Sequence, residues 1–190
     1  MVRSRTAALP LAILAAMIGF LPHIAYPQAA KASLKELTET SHAIFTGRCL
    51  KKESAWNSTR TKIFTQVRIQ TGELIKGNPG AEAVITVPGG QIGQTLYEVS
   101  DMPNFMEGEE VLVFLWKHPS GKNLVTGALQ GKLTIVQEKG TGRKIVQGAS
   151  YLTGGLNDAE VPTLQKAAPT GQQKIYLDDL KAGIRQFVKE

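Results

Sequence analysis

The spacing of apolar and polar positions changes character several times along the chain. S-L-K-E-L at 33–37 places Ser33 at a helix N-cap with Glu36 three positions on, and turns Leu34 and Leu37 inward. That arrangement satisfies backbone N–H groups left unpaired at a helix start, and it predicts a short helix to about Thr40. The period then falls to two. Residues 43–50 (A-I-F-T-G-R-C-L) read as a strand with Phe45 and Cys49 on one face. Residues 63–71 alternate more cleanly, with Ile63, Val67 and Ile69 opposite Gln66, Arg68 and Gln70. The stretch between them, around Trp56–Thr59, reads as a hairpin loop. K-G-N-P-G at 76–80 is a turn, because glycine admits positive φ and proline fixes it.

Further strands are predicted at Ala83–Val87, Thr95–Val99 and in the apolar run V-L-V-F-L-W at 111–116, which reads as a central strand buried on both faces. After the turn H-P-S-G at 118–121 come weaker strands at Leu124–Ala128, Lys132–Gln137 and Lys144–Gln147. Gly154–Gln173 lacks periodicity and reads as a linker. Leu177, Leu180, Ile184 and Phe187 recur at spacings of three and four, one face of a helix within Ile175–Val188. The fold class expected is mainly β: a small closed or partly open antiparallel barrel of the OB or netrin-like kind. A short N-terminal helix precedes it and a C-terminal amphipathic helix packs on it.

Composition alters this picture at the N-terminus. Arg3 and Arg5 precede Ala7–Ala25, which carry no charge, and small residues follow. This describes a secretory signal over residues 1–32, with cleavage before Ser33 as the better site and after Ala30 as the alternative. The organisation expected is therefore a signal at 1–32, a barrel domain at 33–153, a linker at 154–173 and a C-terminal helix at 174–190. Removing Arg3, Arg5 and Lys31 from the 22 basic residues leaves 19 against 16 acids, so the net charge falls from +6 to +3. That balance gives little reason to expect a nucleic-acid partner. The expected location is periplasmic or extracellular, with membrane contact only through an uncleaved signal.

Candidate chemistry is sparse. T-V-P-G-G-Q-I-G at 86–93 follows a strand, as phosphate loops do, but its glycine spacing is neither G-x-x-x-x-G-K-[ST] nor G-x-G-x-x-G, and a β-prone segment follows it. It reads as a strand-to-strand connection whose backbone can meet a partner. Cys49 and His42, as a nucleophile and base, would stand roughly 23 Å apart on one strand; Cys49 reads as a small buried hydrophobe. Two histidines and one thiol in the mature chain make no zinc pattern. Glu107, Glu109 and Glu110 form an acidic cluster, the one place a carboxylate hydrolase site or a weak cation site could sit; as a structural feature it is the solvated start of a buried strand. N-S-T at 57–59 matches a glycosylation sequon, meaningful only on a eukaryotic secretory route. Trp56 either caps the barrel mouth or anchors a ligand. The candidate binding residues are Trp56, Gly89, Gly90, Gln91, Tyr97 and Phe105; no catalytic residue, metal ligand or cofactor is expected.

The order of S-L-K-E-L, G-R-C, I-F-T-Q-V, E-L-I-K-G, V-P-G-G-Q-I-G and M-P-N-F-M-E-G-E-E-V-L-V-F-L, ending in L-Q-G-K-L-T-I-V, resembles a group of exported bacterial proteins without an assigned activity, over Ser33–Val136. More distantly the layout is similar to the netrin-type module of tissue inhibitors of metalloproteases. That resemblance implies an OB-like barrel and a non-enzymatic interaction role, with an extracellular peptidase as a partner. Those inhibitors chelate zinc through an N-terminal cysteine. Here the only thiol is Cys49, so no inhibitory residue carries over. The function expected is an exported binding module for a protein partner or small ligand; the alternatives are the carboxylate hydrolase and, less favoured, an OB-type nucleic-acid binder.

Overall fold

The computed structural model describes residues 32–148 and 174–188. The signal and linker expected from the sequence lie almost wholly outside them. Helix α1 spans Leu34–Thr40. The Ser33 side chain accepts the Glu36 N–H at 3.1 Å, as the N-cap spacing predicts. The α1 C-terminus is closed from outside: the Lys76 ammonium donates to the Thr38 carbonyl at 2.6 Å, where a cation suits the helix dipole.

Strands β1 (Ala43–Trp56) and β2 (Ile63–Lys76) form a long antiparallel hairpin. Strand β3 (Glu82–Pro88) continues it, and β4 (Gly90–Ile92) with β5 (Thr95–Tyr97) forms a small separate hairpin. Strand β6 (Glu110–Lys117) returns to pair with β1. Its other edge is divided: Leu115–Lys117 pair with β7 (Asn123–Val125), and Glu110–Val113 pair with β8 (Lys132–Gln137). Because β7 also meets β3, through the parallel pair Ile85–Asn123, the order β1-β2-β3-β7-β6 closes on itself. The molecule is thus a closed five-stranded barrel, antiparallel except where β3 meets β7. Strands β8, β9 (Lys144–Gln147) and β10 (Ile175–Tyr176) extend it sideways, and helix α2 (Leu177–Phe187) follows.

Strand alternation divides the core in two. Phe45, Cys49, Val67, Ile69, Ile85, Val111, Val113 and Leu115 fill the barrel. Ile44, Leu112 and Phe114 face the other way, against Leu34 and Leu37 of α1 and Leu177, Leu180 and Ile184 of α2. Strand β6 is therefore buried on both faces, which is why its sequence runs apolar without alternating.

Three expectations from the sequence are corrected. Strand β1 continues six residues beyond Leu50 to Trp56, because β2 pairs with it down to Trp56 opposite Ile63. The hairpin loop is therefore 57–62, with Trp56 on the strand. The glycine loop is not a plain connection, since Gly90–Ile92 forms the first arm of the β4–β5 hairpin. Leu124–Ala128 does not form one strand: β7 stops at Val125 and a 3-10 turn occupies Ala128–Gly131.

Candidate functional site

The Asn57 side chain organises the hairpin loop. Its Oδ1 accepts the Thr61 and Lys62 N–H groups at 2.8 and 3.0 Å, and its Nδ2 donates to the Thr59 and Thr61 hydroxyls. The sequon asparagine is thus occupied in holding the turn. Beyond the barrel, the β1–β2 ribbon presents Lys52, Ser54, Thr65 and Val67 on its inner face. The β4–β5 hairpin lies over that face. Gly90 approaches the Ser54 and Thr65 hydroxyls so closely that a Cβ would overlap them, and its φ of +144° is one that glycine tolerates. The Thr65 hydroxyl donates to the Gly89 carbonyl at 2.7 Å and ties the base of the hairpin to β2.

A second segment, 100–109, crosses the mouth from the other side. The Phe105 ring enters the barrel core and Met102 packs against it. Backbone bonds then tie this segment to β1: Cys49 N–H donates to the Glu109 carbonyl at 2.9 Å, and Gly108 N–H donates to the Cys49 carbonyl at 2.8 Å. Between the ribbon, the hairpin and this segment opens a cleft of about 800 Å³, a size ordinary for a ligand site, at a barrel mouth where such sites recur. Gly89, Gly90, Gln91, Tyr97 and Phe105 all line it. Trp56 is not among the lining residues; it stands 38 % exposed at the end of β1. Lys52, Ser54 and Thr65 line the cleft too. Lys52 and Ser54 escaped sequence reading because β1 was not expected to reach that far, and Thr65, on a strand that was expected, because its partner across the hairpin was missing from that reading. A smaller cavity of about 240 Å³, walled by Trp116 and Leu124, shares Val87, Pro88, Met102 and Pro103 with the larger one.

The carboxylates of the acidic cluster serve their neighbours. Glu107 Oε1 accepts the Lys52 N–H at 3.0 Å. Glu109 accepts the Met106 N–H at 2.8 Å and the Lys132 ammonium at 2.9 Å, in a pair almost shut off from solvent. Glu110 pairs with Lys144 at 2.5 Å. None of the three lines the cleft. Cys49 is buried in the barrel; burial, then Glu109 and Glu107, pushes its thiol up, away from the reactive thiolate. Burial lowers the His42 imidazole. His118 sits in its turn, hydrogen-bonded to the Ser120 hydroxyl and edge-on to Trp116. Among the described residues no group of three or more His, Cys, Asp or Glu side chains is placed to hold a metal ion, and no helix is long and apolar enough to cross a membrane.

The fold and the cleft place the chain among small β-barrels with an open mouth, consistent with an OB-like barrel. The chain matches no family model and no curated protein.

Proposed function

We propose that this chain is an exported, non-enzymatic binding module that holds its ligand or partner in the cleft at the barrel mouth. The observation that carries this reading is the cleft itself. It is wide, open to solvent and lined by a mixture of hydroxyl, amide, backbone and apolar groups around Tyr97 and Leu96, the latter 59 % exposed. Such a mixture suits recognition, with apolar area for affinity and a few fixed polar groups for orientation. The carboxylates that a hydrolase would need are spent on backbone and lysine partners outside the cleft. An extracellular peptidase, the partner implied by the netrin-type resemblance, is one protein that such a cleft could engage.

The test is capture from envelope and culture fractions with immobilised wild-type chain and with the double variant Leu96→Ala, Tyr97→Ala. A species held by the wild type and lost from the variant supports the reading. Retention of the same species by both, or of none, contradicts it.

A further inference from the structure

Strand β1 has two edges, and only one is occupied along its whole length. In an antiparallel ladder successive residues send their N–H and C=O alternately to one side and the other. The Lys52 N–H points away from β2, to Glu107 Oε1, whereas the Asn57 N–H points toward β2, to the Lys62 carbonyl. Between them the register runs unbroken, 52–56 opposite 67–63. The N–H and C=O of Ser54 and Trp56 therefore face away from β2. They find no partner among the described residues. Upstream the same edge is in use: Arg48 pairs with Glu110, and Cys49 bonds Gly108 and Glu109. At Lys52 the Glu107 carboxylate stands in for the carbonyl of a neighbouring strand. Past that point the edge is open.

We propose that an extended, acidic peptide segment of a partner protein docks by adding a strand to β1 at Ser54 and Trp56, laying alternate side chains into the cleft. This rests on the reading of the barrel mouth as a binding site and names what enters it. The Ser54 side chain lines the cleft, and strand periodicity puts Trp56 on the same face. A strand laid beside them would place every second side chain on that face, with main-chain bonds giving affinity and the cleft giving selection. Charge decides the kind of peptide. Residues 51–68 carry five cations and one acid. Lys51 and Arg68 are paired, with Glu53 and Glu82; no ion pair among the described residues involves Lys52, Arg60 or Lys62. Against these stand Glu98 in the cleft wall and Glu107 at the edge. Arg60 and Lys62 both lie at the hairpin tip beyond Trp56, where acidic side chains are accordingly favoured. Edge lysines also repel a second copy of the same edge, so the open strand need not lead to self-association.

The experiment is an anisotropy titration of the chain with a fluorescein-labelled peptide of nine residues, alternating valine and glutamate. A valine–lysine peptide of the same length is the charge control. The expected result is saturable binding of the acidic peptide. It weakens at least tenfold in Ser54→Pro, which removes the outward N–H, and far less in Ser54→Ala, which keeps the N–H and removes only the hydroxyl that lines the cleft. An edge position tolerates proline, and melting curves check that the variant is folded. Amide exchange of wild-type Ser54 and Trp56, slowed by the peptide, gives a second readout that needs no variant. Binding weakens when salt is raised from about 0.1 M to about 1 M, which shortens the screening length from about 10 to about 3 Å. Absence of saturable binding, equal binding of the valine–lysine peptide, or unaltered binding by folded Ser54→Pro overturns the proposal. If Ser54→Pro binds normally while Tyr97→Ala does not, strand addition falls and the cleft reading stands. If neither variant alters binding, both fall.

Discussion

At the scale of single residues the site depends on an absence, the missing side chain of Gly90. A methyl group there would strike the Ser54 and Thr65 hydroxyls, and the φ of +144° would strain any other residue. Such backbone strain costs about 1–3 kcal/mol. Gly90→Ala should therefore lower the melting temperature by several degrees, at about 2–4 °C per kcal/mol for a chain of this size, and should lift the β4–β5 hairpin off the ribbon. Gln91→Ala, one residue on and exposed, is the control and should melt as the wild type does. Equal melting of the two variants would remove Gly90 from this role. The sequence marked Gly89, Gly90 and Gln91 as a place of exposed backbone. Their contact with Ser54 and Thr65 was not legible, because it joins residues more than twenty apart and is set by where the hairpin folds back.

Among elements, α2 shows how charge and packing divide the work. Leu177, Leu180 and Ile184 attach it to the outer face of the barrel, and Glu73 on β2 then clamps Lys181 and Arg185. The Lys181 hydrogen bond is the main cause holding the Glu73 carboxyl below its usual range; Arg185 and the charges of both add to it, against some desolvation. The sign follows from the lowered folded value: protonation favours the unfolded chain. The clamp contributes in full above the unfolded glutamate value of about 4.3 and is lost as pH falls through the lower folded value. Being largely exposed, it stabilises by about 1 kcal/mol or less. Melting of Glu73→Gln against wild type should differ by that amount at neutral pH and converge in acid; a constant difference would contradict the clamp. The faces of α1, α2 and β6 were legible because each carries an unbroken period or an unbroken apolar run. The outer half of β1 was not, since Lys51–Ser54 offers four polar residues in succession. The signal was available nonetheless: a hairpin partner beginning at Ile63 needs β1 to reach Trp56.

For the whole molecule, closure of the barrel passes through β7, three residues with a single pair to β3. No alternation in so short a stretch could announce it, although the count of short strands did announce a barrel. The sealed position of Cys49 was legible from its sharing a face with Phe45; the mouth cleft was not, because it is assembled from loops at 88–105 and a ribbon arriving from 52–67. What unites the account is a strand that serves the barrel on one stretch of its edge and stands open on the next. Residue-resolved amide hydrogen exchange of the unliganded chain tests this most directly. Glu53 and Ala55, bonded to β2, should exchange slowly while Ser54 and Trp56, which alternate with them, exchange fast. Equal protection of all four would mean that the edge is already covered, and would contradict the account.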